Sequence, residues 1–388
     1  MFPFLAFISI AAFFQGILNS LKIFTPSGLA PILLNLVTII SAYLLSPFTE
    51  NPARAMAIGI FVGGFLEAAI QFPFIIKKGF TFFFVPIKRT LKNPGVRKVL
   101  KLIVPTIIGM AAYQLNDIVS TALAGNAGEG VVSSLQYSLR LQELILGVFA
   151  VSIGTVLLPN LAEYAKTNQW EYYNERLISA MNIIALVTIP ITFFSLFQGE
   201  FLIRFLFQTR EFDETSVHLT LSAFSFHIIG LFFIAINRIL APAFYAQSDS
   251  KSPSLAGIIS FGANIVLALI LVAPMRGAGI ALALSLAGVV NTIVLLIFLR
   301  KNPYIAVSNA LRSVVFYVVK LSFFSVLALV PLLFIKPYLI HFFANQGRFI
   351  SYGFPLIITA LVYCILGFFL LFISKDSQIQ YLIRVLKK

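Results

Sequence analysis

Apolar runs long enough to cross a membrane follow one another along the whole chain, and they restrict the fold more than any other feature. A membrane-spanning helix needs about 17–25 mostly apolar residues. Only 11% of the residues are charged, whereas a soluble domain carries about 25%, and a membrane β-barrel would alternate apolar and polar residues in segments of about ten. The sequence therefore predicts an all-α, polytopic membrane protein.

Eleven segments meet or approach the length of a membrane span. The predicted spans are residues 2–20, 30–47, 54–76, 100–124, 132–159, 174–197, 215–244, 253–272, 277–299, 309–335 and 352–374. Residues 201–207 are predicted as a separate short helix at the membrane interface.

Positively charged residues define the predicted orientation. If the carboxyl terminus is cytoplasmic, 19 Lys and Arg residues fall on the cytoplasmic side and six on the outer side, as the positive-inside rule requires. The net charge of +14 is therefore interpreted as a topology signal and not as a nucleic-acid-binding surface. Segment 77–101 mixes basic and aromatic residues. It is either a loop resting on anionic headgroups or a loop that gathers an anionic lipid substrate.

The amino terminus conflicts with this topology. An odd number of spans with a cytoplasmic carboxyl terminus puts Met1 outside, yet neither a polar leader nor a signal-peptide pattern precedes the first span. We therefore expect the chain to lack an odd number of amino-terminal helices.

Residues that could support an enzyme or a metal site are few. Cys364 is the single cysteine, which excludes an intramolecular disulfide and a cysteine-based metal site. His218, His227 and His341 have no metal-binding spacing, and the sequence has no glycine-rich phosphate loop. The sequence predicts a transporter with no cofactor, driven by the membrane potential or by an ion gradient.

Arg140 and Glu143 are charged residues inside a very apolar run. Residues three apart in a helix share one face, and a charge held at membrane depth costs at least about 2.5–3.5 kcal/mol. The preceding span carries Gln114, Asn116 and Asp117. Two interpretations are open. Arg140 either forms a buried ion pair with Asp117, Glu143 or both, or it stays free to bind an anion such as phosphate, which its planar fork matches.

Other polar residues also fall within predicted spans. Glu67 lies one turn before Gln71, and a protonated Glu67 that is hydrogen-bonded in a helix contact is one interpretation of this pair. Arg238 lies near a cytoplasmic helix end, from which its charged group can extend to the membrane interface, and Lys320 either does the same or faces a groove.

A helix end and the loop after it carry a family resemblance. The motif residues are Leu240, Ala241, Pro242, Phe244, Tyr245, Asp249, Lys251 and Pro253. Shorter pieces, Pro31-Ile-Leu-Leu-Asn35, Gln71-Phe-Pro73, Arg140-Leu-Gln-Glu143 and Gly277-Ala-Gly279, occur in the same order as in that family. Together they resemble the MurJ/MviN lipid II flippases of the MOP exporter superfamily over about residues 1–300.

The resemblance implies a MATE-like architecture of two lobes around a cationic cavity. It implies fourteen helices, of which this chain would carry the fourth to the fourteenth. Residues 1–98 would form a partial N-lobe of three helices with a basic cytoplasmic loop, residues 99–302 a six-helix C-lobe, and residues 303–388 two helices forming a lipid-tail groove and a basic tail. Of the family's essential cavity arginines, this chain has only the eighth-helix position, Arg140, with Glu143 beside it.

The expected function is translocation of lipid II, an undecaprenyl-pyrophosphate-linked peptidoglycan precursor, across the bacterial cytoplasmic (inner) membrane by alternating access. The residues assigned to substrate binding are Arg140, Glu143, Gln114, Asn116, Asp117, Arg238 and Lys320. Asp117, Asn264 and Asn291 either hold a coupling cation or join helices. The alternatives are another exporter of the superfamily, for O-antigen lipids or cationic drugs, and a non-transporting fragment that acts as a scaffold. A cationic drug requires an acidic cavity, so Arg140 favours an anionic substrate.

Overall fold

The computed structural model describes residues 2–21, 23–81, 85–344, 346–376 and 378–380. Within these ranges it describes the backbone alone at residues 20, 87, 98–99, 101–106, 108–110, 112–113, 148–156 and 158–159. The end of the predicted basic tail, residues 381–388, lies outside the described residues. The described ranges contain helices and no strand, which confirms the all-α prediction.

Twelve α-helices occur in these ranges. In chain order they are α1 (Phe4–Ser20), α2 (Thr25–Leu45), α3 (Pro52–Lys77), α4 (Ile87–Thr90), α5 (Pro94–Ala127), α6 (Val131–Lys166), α7 (Trp170–Phe207), α8 (Glu214–Ile229), α9 (Leu231–Tyr245), α10 (Lys251–Leu299), α11 (Val307–Phe342) and α12 (Phe354–Ile373). A 3-10 turn at Ser46–Phe48 follows α2, and a π-helical turn at Phe349–Gly353 precedes α12. Residues 201–207 continue α7 without a break, so the prediction of a separate interfacial helix was wrong.

Most of the predicted spans coincide with single helices. In the part of the chain that the structure describes, six helices are long and apolar enough to cross a membrane, or seven if α8 and α9 form one span bent by 45°. The count of eleven crossings stays a prediction.

Helix α10 turns back on itself at Arg276, whose φ of 50° and ψ of −127° are not helical. The hydroxyl of Ser260 donates a hydrogen bond to the carbonyl of Ala287 at 2.8 Å. In a straight helix these residues would lie about 40 Å apart. The arms 251–275 and 277–299 therefore run side by side in opposite directions, and they match two predicted spans.

The chain forms two compact units, Met1–Val99 and Leu100–Lys388. In the first unit, α3 packs against α1 and α2. A Cβ atom on Gly63 would lie 3.1 Å from the carbonyl oxygen and 3.2 Å from Cα of Leu34 in α2, so glycine lets the two backbones pack this closely.

The second unit has its largest core between α6, α7, α8, α9 and α10, around the fully buried side chains of Tyr173, Met181 and Phe224. Helix α11 packs on α7 and α12 packs on α11. The outer faces of α11 and α12 expose large apolar side chains such as Phe316 and Phe372, as lipid-facing helices do. The division of the chain into functional lobes stays a prediction.

Candidate functional site

One face of α6 carries a polar stripe. Ser133, Gln136, Arg140 and Glu143 are exposed, and their spacing of three or four residues places them on one side of the helix. Leu141, on the opposite side, is buried in the core. We call these four exposed residues the α6 stripe. Both predicted charges of α6 therefore point away from the core of their own unit.

Arg140 lacks an ion pair in the part of the chain that the structure describes. Among the residues that the structure describes, neither Glu143 nor Asp117 forms a salt bridge with it. The predicted buried ion pair between Arg140 and these carboxylates is therefore not formed. The guanidinium keeps its donors available, which is what the alternative interpretation, anion binding, requires.

The polar residues of α5 lie close to the α6 stripe. Gln114 and Asp117 are exposed and Asn116 is half-buried. Asp117 and Gln136 line the same small cavity, and Gln136 lies one helical turn before Arg140. The structure thus brings Asp117 and the α6 stripe together from two helices.

This cavity has a volume of about 30 Å³, enough for one water molecule or a small cation. Its polar wall includes Asp117, Ser120 and Thr121 of α5 together with His227 of α8. The remaining wall is mainly apolar and is lined by Ala124, Val132, Leu135, Leu139, Ile280 and Leu284.

His227 takes part in a buried polar cluster that the sequence analysis missed. Its Nδ1 atom lies 2.6 Å from the hydroxyl oxygen of Ser138, and the side-chain amide of Gln142 donates to its backbone carbonyl. Ser138 and Gln142 are both on the buried side of α6, away from the α6 stripe. The signal available in the sequence was that α6 carries polar residues on the side that holds Ser138 and Gln142 as well as on the α6 stripe.

Two of the three residues predicted to hold a cation are close together. The amide nitrogen of Asn264 donates to Oδ1 of Asn116, which adjoins Asp117, at 2.5 Å. Oδ1 of Asn264 is buried and has no partner in the described residues. Asn291 lies elsewhere. Because Ser260 pairs with Ala287, the other arm of α10 places Asn291 roughly two turns, or about 12 Å, beyond the level of Asn264.

The two remaining predicted substrate contacts differ from each other. Arg238 is exposed on α9 and has no ion pair within the described ranges. Lys320 of α11 forms a 2.6 Å ion pair with Asp376, whose side chain is only 1% exposed. The hydroxyl of Tyr317 donates to the other oxygen of Asp376 at 3.0 Å. Lys320 therefore ties the segment after α12 to α11, and its charge is already compensated.

The motif that carried the resemblance forms a structural junction. Leu240 and Phe244 are buried in the main core, and the hydroxyl of Tyr173 donates to the carbonyl of Ala243 at 2.6 Å. The carboxylate of Asp249 accepts from the backbone nitrogen of Lys251 at 3.0 Å and so caps α10. Tyr245 is exposed, whereas Ala241, Pro242 and Pro253 are partly buried.

The hydrogen bonds of this cap stabilise the ionised form of the Asp249 carboxyl. Burial alone would raise its pKa, but the hydrogen bonds from Ser252 and the backbone of Lys251 outweigh that effect and hold the pKa below its usual range. These contacts explain the motif by helix ends and packing, without a substrate.

Comparison with known proteins gives one consistent result. Residues 1–351 match the family model described as lipid II flippase MurJ. The chain is 42% identical, over 97% of its length and 72% of the relative's, to a probable lipid II flippase MurJ of Treponema pallidum. It is 33% identical to a lipid II flippase MurJ of Burkholderia cenocepacia, over 78% of the chain and 59% of that relative.

A solved structure agrees with the sequence relatives. The chain superposes on a lipid II flippase MurJ in an inward closed conformation with a TM-score of 0.72 and 26% identity. The match covers 95% of this chain and 72% of the solved chain. This chain therefore spans about three fifths to three quarters of the length of these relatives.

Proposed function

The chain belongs to the lipid II flippase MurJ family, and we propose that it carries lipid II, the undecaprenyl-pyrophosphate-linked precursor of peptidoglycan, across the bacterial cytoplasmic membrane by alternating access. The carboxyl terminus lies on the cytoplasmic side, as the distribution of basic residues favours. The undecaprenyl chain stays in the lipid phase while the hydrophilic headgroup crosses through the protein.

The single observation that carries this proposal is the unpaired Arg140 on the exposed α6 stripe. Holding a guanidinium at membrane depth costs at least about 2.5–3.5 kcal/mol, and in the described residues no carboxylate offsets this cost. A pyrophosphate would offset it, because two parallel N–H groups of the planar fork can bind two phosphate oxygens. Gln136 and Glu143 lie about one turn away on either side of Arg140, on the same face of α6.

The proposal is tested by complementation in cells depleted of their own flippase. Arg140→Ala should abolish growth, and Arg140→Lys should restore it only in part, because lysine keeps the charge and loses the bidentate geometry. Arg54→Ala is the matched control, since Arg54 is an exposed arginine whose ion pair within the described residues is with Glu50 alone. Normal growth of Arg140→Ala at wild-type membrane levels would refute the role of Arg140. Failure of the unchanged chain would refute the proposal for this polypeptide.

Substrate class needs a direct comparison as well. Purified protein should bind an undecaprenyl-pyrophosphate lipid and should not bind a cationic dye. The Arg140→Ala substitution should weaken binding of the lipid. Dye binding without lipid binding would favour a cation exporter of the same superfamily.

We also propose that Asp117, with Asn116 and Asn264, takes the coupling cation. The support is a carboxylate beside a cavity of about 30 Å³ and the unpartnered Oδ1 of Asn264, both of which are oxygen ligands that hard cations prefer. Asp117→Asn should remove the dependence of translocation on the cation gradient. Unchanged ion dependence would contradict this assignment and leave the substrate proposal intact.

A further inference from the structure

The first unit contains a buried acid that the proposed transport does not use. Along α3, Gly64, Gln71 and Ile75 face α1: Gly64 adjoins the ring of Phe4, and Gln71 contacts Ala11. Glu67 lies between them and is only 7% exposed. The side chain is therefore largely buried, on the face of α3 that packs against α1, about midway along a predicted span.

Two buried oxygens in this contact, one on Gln71 and one on Glu67, have no hydrogen-bond donor among the described residues. The amide nitrogen of Gln71 donates to the carbonyl of Ala11 at 3.3 Å and to the carbonyl of Glu67 at 3.1 Å. Those bonds fix the amide orientation and leave its Oε1 atom without a partner. Oε2 of Glu67 is also buried and without a partner in the described residues. Buried polar atoms in proteins rarely lack a hydrogen-bond partner.

One proton on Glu67 would give both oxygens a hydrogen-bond partner. An ionised carboxylate is only an acceptor, so it cannot satisfy a second acceptor. A protonated Glu67 gains one O–H donor, and the acceptor oxygen of Gln71 lies on the same helix face one turn away. The neutral acid therefore matches the hydrogen-bonding groups present, whereas the carboxylate does not.

Among the described residues, the elements that pack most closely on α3 place no charge beside Glu67 that would favour the ionised form. The elements packed against α3 are α1, α2 and the 3-10 turn at Ser46–Phe48, and none of them contains Asp, Glu, Lys, Arg or His. Tyr43, the one titratable group of α2, is 80% exposed. On α3 itself, Arg54 and Lys77 stand at the ends, about 20 Å and 15 Å along the axis. Burial without a counter-charge disfavours the carboxylate.

We propose that Glu67 is a proton-binding site of the amino-terminal unit. Its carboxyl is neutral at neutral pH, and its O–H donates a hydrogen bond to Oε1 of Gln71. The proton stays bound while α1 and α3 are packed. When the helices separate, water enters, accepts the proton and leaves a hydrated carboxylate. Packing of α1 on α3 is thus linked to the uptake of one proton. This site requires neither lipid II nor Arg140, so it stands or falls independently of the proposed transport.

Infrared spectroscopy of the full chain in lipid nanodiscs tests the proposal. At neutral pH the wild type should show a protonated-carboxyl C=O band that shifts in heavy water. Glu67→Gln should lose this band. Glu50→Gln is the matched control, because Glu50 is an 84% exposed acid of the same unit that pairs with Arg54. Spectra of Glu67→Gln and wild type that coincide in this region would overturn the proposal.

A second variant keeps the test valid if Glu67→Gln does not fold. Gln71→Leu removes the acceptor and retains the acid, so the band should persist and move to higher frequency. A band that does not move would overturn the assignment of Gln71 as its partner. The thermal stability of the wild type should also fall as pH rises, because only the folded state holds the proton, and Glu67→Gln should lack that fall. Equal pH dependence of the two proteins would contradict the linkage.

Discussion

Removing the ammonium of Lys320 should release the segment that follows α12. Lys320 binds a carboxylate oxygen of Asp376 at 2.6 Å, and the two side chains are 23% and 1% exposed. Lys320→Met keeps the length and apolar stem of the side chain and deletes only its charge. Asp376 is then left as a buried charge without its cation.

The magnitude follows from the remaining contacts of Asp376. Removing one partner of a buried ion pair costs about 3–5 kcal/mol. Oδ1 of Asp376 still accepts from the hydroxyl of Tyr317 and from the backbone nitrogen of Gln378, both at 3.0 Å. We therefore expect Lys320→Met to lower the free energy of opening this segment by about 2–3 kcal/mol. This change raises the open population of the segment by about 30- to 150-fold.

Trypsin cleavage after Lys375 measures this opening, since that peptide bond adjoins Asp376 and cleavage tracks the open population when reclosing is fast. The cleavage rate in Lys320→Met should rise by the factor given, and Asp376→Asn in the same chain should reverse most of the rise. Arg312→Met is the control, because Arg312 is exposed on α11 and has no ion pair in the described residues. Equal cleavage rates in Lys320→Met and wild type would refute the reasoning.

Two other predictions concern stability. Asp249→Ala removes the cap of α10 and should cost about 0.5–2 kcal/mol in denaturant unfolding near neutral pH. Because the folded pKa of Asp249 lies below its usual range, the capping contribution is present above the unfolded pKa and disappears as pH falls through the folded pKa. A penalty that persists at strongly acidic pH would contradict it. Gly63→Leu should cost about 1–3 kcal/mol, since its Cβ would lie 3.1 Å from the carbonyl oxygen of Leu34 and its longer side chain would need further space in the α2–α3 contact. Gly28→Ala should leave the free energy of unfolding nearly unchanged, because no atom lies within 4 Å of the added Cβ.

Features that depend on local sequence were predictable. Apolar length locates most of the long helices, because a lipid-facing backbone must satisfy its hydrogen bonds within the segment. The Asp249 cap follows from a short polar residue before a helix start. The end of α7 was mispredicted because nothing in residues 201–207 shows that the helix continues from the preceding span.

Features that depend on distant contacts were not predictable. Asp376 lies 56 residues after Lys320, in a segment that the sequence presents as a polar tail, so nothing marked it as buried. Ser138 and His227 are 89 residues apart. Asn291 was grouped with Asn264 because both are amides in apolar spans, but the register across the turn at Arg276 separates them. Such partners are determined by how the helices pack, and local patterns in one sequence do not reveal that packing.

Translocation itself is the most direct test of the central claim, that this chain moves a pyrophosphate-linked lipid with Arg140 binding the phosphates. The full chain is reconstituted into liposomes that carry a fluorescent lipid II, and its appearance in the opposite leaflet is followed by an impermeant quencher. Wild type and Arg54→Ala should transfer the lipid faster than empty liposomes, and Arg140→Ala should not. Transfer by Arg140→Ala at the wild-type rate, or no transfer by the wild type, would contradict the account.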